Sequence, residues 1–184
     1  MLSIELNHRA HAEAVAGDYI GVHVSLPARE GITSGSVMGD ADQQPPGVVE
    51  SFTAQVIVLG SPTPAGFKVG YTPIFDCHTA HFPGRIAEFI CKIDKATGAA
   101  SDRPPSALRA GDAALITVVP TVPTSVEAVS EWPELGRFTF RDMRQTIGFG
   151  VIKAVHTKTG PSQPPSRLRP AHEGVRSSGQ SESS

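Results

Sequence analysis

Cysteine is scarce in this chain: Cys77 and Cys91 are the only two in 184 residues. Two thiols make no disulfide framework, and such scarcity fits a reducing compartment. Long apolar runs are missing as well. No stretch approaches the roughly 20 apolar residues of a membrane span. The N-terminus, "MLSIELNHRAHAEAVAGDY", has no apolar run long enough for a signal peptide. The expectation is a soluble, cytoplasmic protein with no membrane partner. An excess of one charge is also missing. The net charge is -2, so a surface for nucleic acid would have to be a local basic patch. Two phosphate-binding motifs are absent. There is no G-x-x-x-x-G-K-[ST] and no G-x-G-x-x-G opening a helix, which excludes nucleoside triphosphate chemistry by either route. With the P-loop absent, the chain is expected not to be an enzyme of that kind and to hold no nucleotide cofactor. Convincing helical periodicity is missing over any window of about a dozen residues.

Glycine (18) and proline (16) are plentiful and favour turns and short strands. "YIGVHVSL" (Tyr19 to Leu26) is the one strand candidate in the first segment, with a turn at Gly17-Asp18 before it. "GDADQQPPG" is polar and proline-bearing and reads as a linker, placed at residues 40–50. "SFTAQVIVLG" then opens a β-branched region. Further strands are expected at about Tyr71 to His81, Arg85 to Ile93, Ala113 to Val119, Arg137 to Arg141 and Thr146 to His156. Turn chemistry such as "KATG" and "RAGD" separates them. Pro120 and Pro123 interrupt "ITVVPTVPTSVEAV", which is read as an edge or a loop crossing rather than a central strand. The fold class is all-β, a closed barrel or a sandwich over residues 51–157. The tail, 158–184, has almost nothing to bury and is expected to be disordered.

The densest cluster of reactive side chains is "FDCHTAHF", with Asp76, Cys77, His78 and His81. Read as a strand, it puts Cys77, Thr79 and His81 on one face and Asp76 and His78 on the other. Cys77 and His81 would then be roughly 13 Å apart, too far to share a zinc ion. A Cys-His nucleophile pair fails too, because adjacent strand residues face apart and nothing marks an oxyanion hole. No metal is expected. The other signal is basic. Arg137, Thr139 and Arg141 share one strand face, while Phe138 and Phe140 share the opposite face and should enter the core. A guanidinium row can grip phosphates; the alternative is a solvated face, which Glu88, Asp94 and Asp142 favour. Arg85, Lys92, Lys95, Arg144, Lys153 and Lys158 complete the basic set.

"SFTAQVIVL", "GYTPIFDCHTAH", "LRAGDAALITVVP" and "LGRFTFRDMRQTIGFGVIKAV" together closely resemble the C-terminal β-barrel domain of the elongation factor 1-alpha family, whose bacterial counterpart is elongation factor Tu. The resemblance spans about Phe52 to Val155. Upstream, "HRAHAEAVAGDYIGVHVSLPAREGITSGSVMGD" is similar to the end of the family's middle barrel. The resemblance implies a closed antiparallel β-barrel preceded by an incomplete second barrel at residues 1–39. It also implies that "DCHTAH" belongs to a barrel strand.

Members of that family are GTP-dependent carriers of aminoacyl-tRNA to the ribosome, and their C-terminal barrel grips the backbone of the tRNA T stem. Carried over by motif, the contact positions here are Asp142, Met143 and Arg144 in "RDMRQT", Thr97 in "KATG", and Glu88, with Arg141 and Lys95 beside them. Such contacts position RNA without reading its sequence. By the same resemblance the partners are aminoacyl-tRNA, the ribosome and the exchange factor, and the chain is a monomer. GTP and Mg belong to the family's GTPase domain, for which this chain carries no motif. Three departures each remove positive charge: Val122 where the family has lysine, Thr33-Ser34 in place of a basic pair, and a Pro/Ser-rich tail in place of a lysine-rich one. Residues 1–39 cannot close a barrel alone and would leave strand edges unpaired. Two alternatives to RNA binding stand beside it. One is a protein-interaction module for exchange-factor or cytoskeletal partners, and the other is a truncated copy without function.

Overall fold

The computed structural model describes residues 3–25, 32–40, 42 and 45–157; the tail expected to be disordered lies outside them. Every described element is a strand. Three short ones open the chain: β1 (Ser3–Leu6), β2 (Arg9–His11) and β3 (Gly21–His23). Six more follow: β4 (Val49–Val58), β5 (Ile74–Cys77), β6 (Ala80–Ile93), β7 (Ala113–Pro120), β8 (Arg137–Asp142) and β9 (Gln145–Thr157). The first three form an open antiparallel sheet in the order β2-β1-β3. The other six close into an antiparallel barrel, β4-β7-β6-β5-β8-β9.

The barrel's strands alternate between an inward and an outward face, with breaks at the register shifts in β6 and β9. β4 buries Phe52, Ala54, Val56 and Val58 and turns the residues between them outward, as a period of two requires. Phenylalanine fills the interior. All eight line it except Phe149. Phe75 is at the centre, stacked on Phe82 at 5.7 Å and on Phe140 at 5.8 Å, and edge-on to Phe52 at 6.0 Å. Phe138 and Phe140 point inward as expected. They are accommodated by Gly148 and Gly150 on β9, where an added Cβ would lie 2.6 Å and 2.8 Å from their rings.

Three expectations need correction. β1 and β2 fall where no strand was expected; they are too short and polar to show a pattern, and Ile4 is the single buried residue in the open sheet. β7 is paired on both sides, with β4 and β6, so it is a central strand; Pro120 is merely its last residue, and the crossing 121–136 follows it. Finally, the stretch from Tyr71 to His81 is not one strand. It holds the end of a loop, β5, and a two-residue turn at His78-Thr79 that leads into β6. His78 takes φ 45 there, a conformation that polar residues tolerate in tight hairpins.

Residues 32–39 lie against the barrel. Gly35 meets Ala80 so closely that an added Cβ would be 2.6 Å from its Cα, and the Ser34 hydroxyl donates to the Thr79 carbonyl at 3.4 Å.

Candidate functional site

The hairpin changes the meaning of the "DCHTAH" cluster. Cys77 and Ala80 face each other, as do Asp76 and His81. Cys77 points into the core and donates to the Leu135 carbonyl at 3.3 Å. Burial pushes its thiol up to about 11, so it is an inert thiol rather than a nucleophile. His81 is on the outside, with Nδ1 2.5 Å from Asp76 Oδ1. It and Cys77 are on opposite faces, not on one. The strand reading failed because a turn between them reverses the alternation. Among the described residues no three of His, Cys, Asp and Glu converge as metal ligands.

The register settles which loops share an end of the barrel. Val58 pairs with Gly148, Ile57 and Ile93 with Ala113, and Asp142 with Gln145. One rim therefore carries the loop 59–73, the loop 94–112 and the β8–β9 tip. The other rim carries the His78-Thr79 turn, the crossing 121–136 and both barrel termini. Thr97 and Lys95, on the long loop, thus share a rim with Asp142, Met143 and Arg144.

Each piece of that rim has a local cause. The β8–β9 tip is Met143-Arg144, with φ values of 43 and 70, the double positive φ of a type I′ hairpin turn. Both side chains face solvent; Met143 is 94% exposed. The "KATG" turn is tied by Asp94, whose Oδ1 accepts from the amides of Ala96 at 2.7 Å and Thr97 at 3.0 Å. The Thr97 amide, then the Ala96 amide, holds the Asp94 carboxyl below its usual range. This turn leaves Lys95 exposed. Lys92 is engaged, with Nζ 2.8 Å from Asp112 Oδ2. Burial works against ionisation of Asp112, but Lys92 and the Arg109 amide outweigh it and keep that carboxyl low.

Two candidate positions are bound internally. Asp142 Oδ2 accepts from the Tyr71 hydroxyl at 2.7 Å; burial first, and this bond second, raise the Tyr71 pKa well above the usual tyrosine range. Arg141 Nε donates to Asp76 Oδ2 at 2.7 Å. Its guanidinium is thereby committed to a bridge that spans β5 and β8. Glu88 is exposed on β6, beside the register shift between Ile86 and Glu88. Of the candidate positions at this rim, Met143, Arg144, Lys95 and Thr97 remain turned to solvent. Sequence reasoning missed Lys68, Arg103 and Arg109, exposed cations on the same two loops. The signal available for them was position: each lies in a loop that returns to the "KATG" end.

This architecture defines a class, a six-stranded antiparallel barrel with long loops and a tight hairpin tip at one rim. Two solved structures have a similar fold, the crystal structures of sup35 complexed with GDP and with GMPPNP. Each superposes with a TM-score of 0.73 at 23% identity, covering 84% of this chain and 37% of that one. That likeness establishes the fold. The family comes from sequence: the family model described as GTP-eEF1A C-terminal domain-like matches residues 51–153, more than half of the chain, and the chain belongs to this family. It is 46% identical over 157 residues to elongation factor 1-alpha of Neurospora crassa, and 46% identical over 153 residues to that of Sordaria macrospora. These matches cover 85% and 83% of this chain but 34% and 33% of the relatives. The chain thus spans about a third of the length of the curated relatives it matches. It carries the C-terminal-type barrel of a translation elongation factor family.

Proposed function

We propose that the barrel binds the backbone of an RNA stem, the T stem of aminoacyl-tRNA, at the rim bearing the β8–β9 tip. The observation that carries this reading is the tip itself. "RDMRQT" is presented as a two-residue turn whose Met143 and Arg144 project from the barrel, with Lys95 and Thr97 on a loop of the same rim. Arg144 supplies a forked donor for a phosphate, Lys95 a point charge, and Met143 an apolar contact for a sugar. Asp142 acts as a brace for the tip through Tyr71 rather than as an RNA contact. Arg141 contributes only by leaving Asp76. Within a whole elongation factor, GTP, Mg, the exchange factor and the ribosome would be partners of the remaining machinery.

Electrostatic contacts of this kind are few, so affinity is weak and falls steeply with salt. The test is retention of tRNA by the full chain across a salt series, for the wild type and Arg144→Ala. Losing one phosphate contact should lower the slope of log affinity against log salt by about 1. Retention that neither salt nor Arg144→Ala alters, or no retention at all, would overturn the RNA reading. It would leave the barrel as a protein-interaction module.

A further inference from the structure

The rim opposite the hairpin tip carries a groove that the RNA reading does not use. It encloses about 670 Å³ between the incoming linker and the β7–β8 crossing. Val37, Met38 and Pro46 form one wall, and Trp132 and Leu135 the other. Trp132 is 60% exposed and Met38 65%, so two of the largest apolar side chains on the molecule face solvent at one place. The polar lining has a single sign: Asp40, Asp42 and Glu127. Glu131 lies close enough to Glu127 to add to the rise that burial gives the Glu127 pKa. Among the described residues none of these four carboxylates is in an ion pair. An aromatic-lined apolar groove with an acidic border fits a segment that is proline-bearing and cationic. Proline rings stack on indole, and guanidinium groups lie over its face or pair with carboxylates.

Such a segment belongs to this chain. "PSQPPSRLRP", residues 161–170, holds four prolines together with Arg167 and Arg169. It has no acidic residue. The barrel's last described residue, Thr157, packs against Gly47, whose added Cβ would lie 3.0 Å from the Thr157 methyl. Gly47 is the neighbour of Pro46 in the groove wall. The chain therefore leaves the barrel at the groove's own edge. The crossing that bears Trp132 runs beside the strand that ends at Thr157, for the Val129 amide donates to the Ile152 carbonyl at 2.9 Å and the Ile152 amide to the Gly136 carbonyl at 2.8 Å; the seven residues from Lys158 to Pro164 add a reach of at most about 23 Å when extended.

We propose that residues 164–170 of the same chain occupy this groove, with a proline against Trp132 and Arg167 and Arg169 on the acidic border of Asp40, Asp42 and Glu127. A short tether supplies an effective concentration of about 1 mM, so even a millimolar contact is substantially occupied in cis. The same groove would then admit a basic, proline-bearing segment of another protein only by displacing the tail.

Trp132 is the single tryptophan of the protein, so its fluorescence reads the groove directly in the full chain. The expected result is that Arg167→Glu/Arg169→Glu shifts emission to longer wavelength and raises acrylamide quenching about twofold, the release of a site about half occupied through its tether. Asp40→Asn/Asp42→Asn should act in the same direction. About 0.5 M salt should erase the difference between wild type and variants, because exposed ion pairs are screened at that strength. Identical emission and quenching in wild type and both variants would overturn the proposal. So would protection of Trp132 that grows with protein concentration alongside a doubled mass, since a second copy would then supply the occupant.

Discussion

The open three-stranded sheet and the closed barrel are built from the same kind of strand, yet they differ in what holds them. β1 pairs with both neighbours, but β2 and β3 each leave an edge, and Ile4 is the one side chain buried. The strands β4 to β9 have no free edge, and one apolar cluster runs from Val49 to Ile152 through seven phenylalanines. Closure is what separates them. A barrel pairs every strand twice and encloses the inward half of each, whereas three short strands enclose nothing. The strands of the open sheet contact each other and no barrel strand. The two regions should therefore come apart under perturbation.

The largest effect should come from the barrel core. Phe75 is fully buried and its ring meets Phe52, Phe82, Phe138 and Phe140. Phe75→Ala should cost about 3–5 kcal/mol, read as a drop in the thermal midpoint by circular dichroism. A midpoint within a degree or two of the wild type would mean that closure, rather than the aromatic cluster, holds the barrel.

A smaller effect should come from the brace beneath the hairpin tip. Tyr71→Phe removes one half-buried hydrogen bond to Asp142 and should cost about 1 kcal/mol. The same bond sets a pH dependence. The Tyr71 hydroxyl is raised by burial and by Asp142, and the Cys77 thiol is raised to about 11 by burial. A folded-state pKa above the unfolded value gives stability that is complete below the unfolded pKa and is lost as pH rises toward the folded one. From neutrality, denaturant midpoints should therefore hold level to about pH 7.5 and fall beyond it, as the unfolded thiol, half ionised at about pH 8.5, titrates. Tyr71→Phe should flatten the part of that fall above about pH 10. A fall of the same steepness in the variant would show that the bond carries none of it.

The smallest effect on global stability should come from the open sheet. Ile4→Ala should leave the barrel's unfolding midpoint unchanged within about 0.5 kcal/mol. In hydrogen exchange, amides of β1 and β3 should open locally and lose their modest protection in the variant, while those of β4, β7 and β9 keep theirs. Equal protection in the two regions of the wild type would break the comparison, because it would mean that they unfold as one unit.

Much of the barrel was legible as pattern. The alternation in "GRFTFRD" is strict, "SFTAQVIVL" is rich in β-branched residues, the turns are marked by glycine and aspartate, and the strands so located agree with β4, β6, β7, β8 and β9 to within a few residues. β1 and β2 were not legible, because strands of four and three residues with one buried side chain leave no period to detect. The "DCHTAH" hairpin was misread because its turn, His78-Thr79, contains none of the glycine, asparagine or proline that ordinarily announces one. At the candidate site, Arg144 and Met143 could be chosen from their motif. The engagement of Arg141 with Asp76 and of Asp142 with Tyr71 joins residues 65 and 71 positions apart, and no local spacing reports such a contact.

By itself the sequence determined an all-β fold, the family, the inward face of each long strand and the chemistry available at each turn. These are consequences of side-chain period and local backbone preference, which act over a few residues. Tertiary structure alone decided which loops share a rim, which cations remain free to meet a phosphate, and that the linker and the crossing form an acidic, tryptophan-lined groove. Those outcomes depend on barrel closure and register, which bring together residues far apart in the chain and commit some charges to each other before any partner arrives.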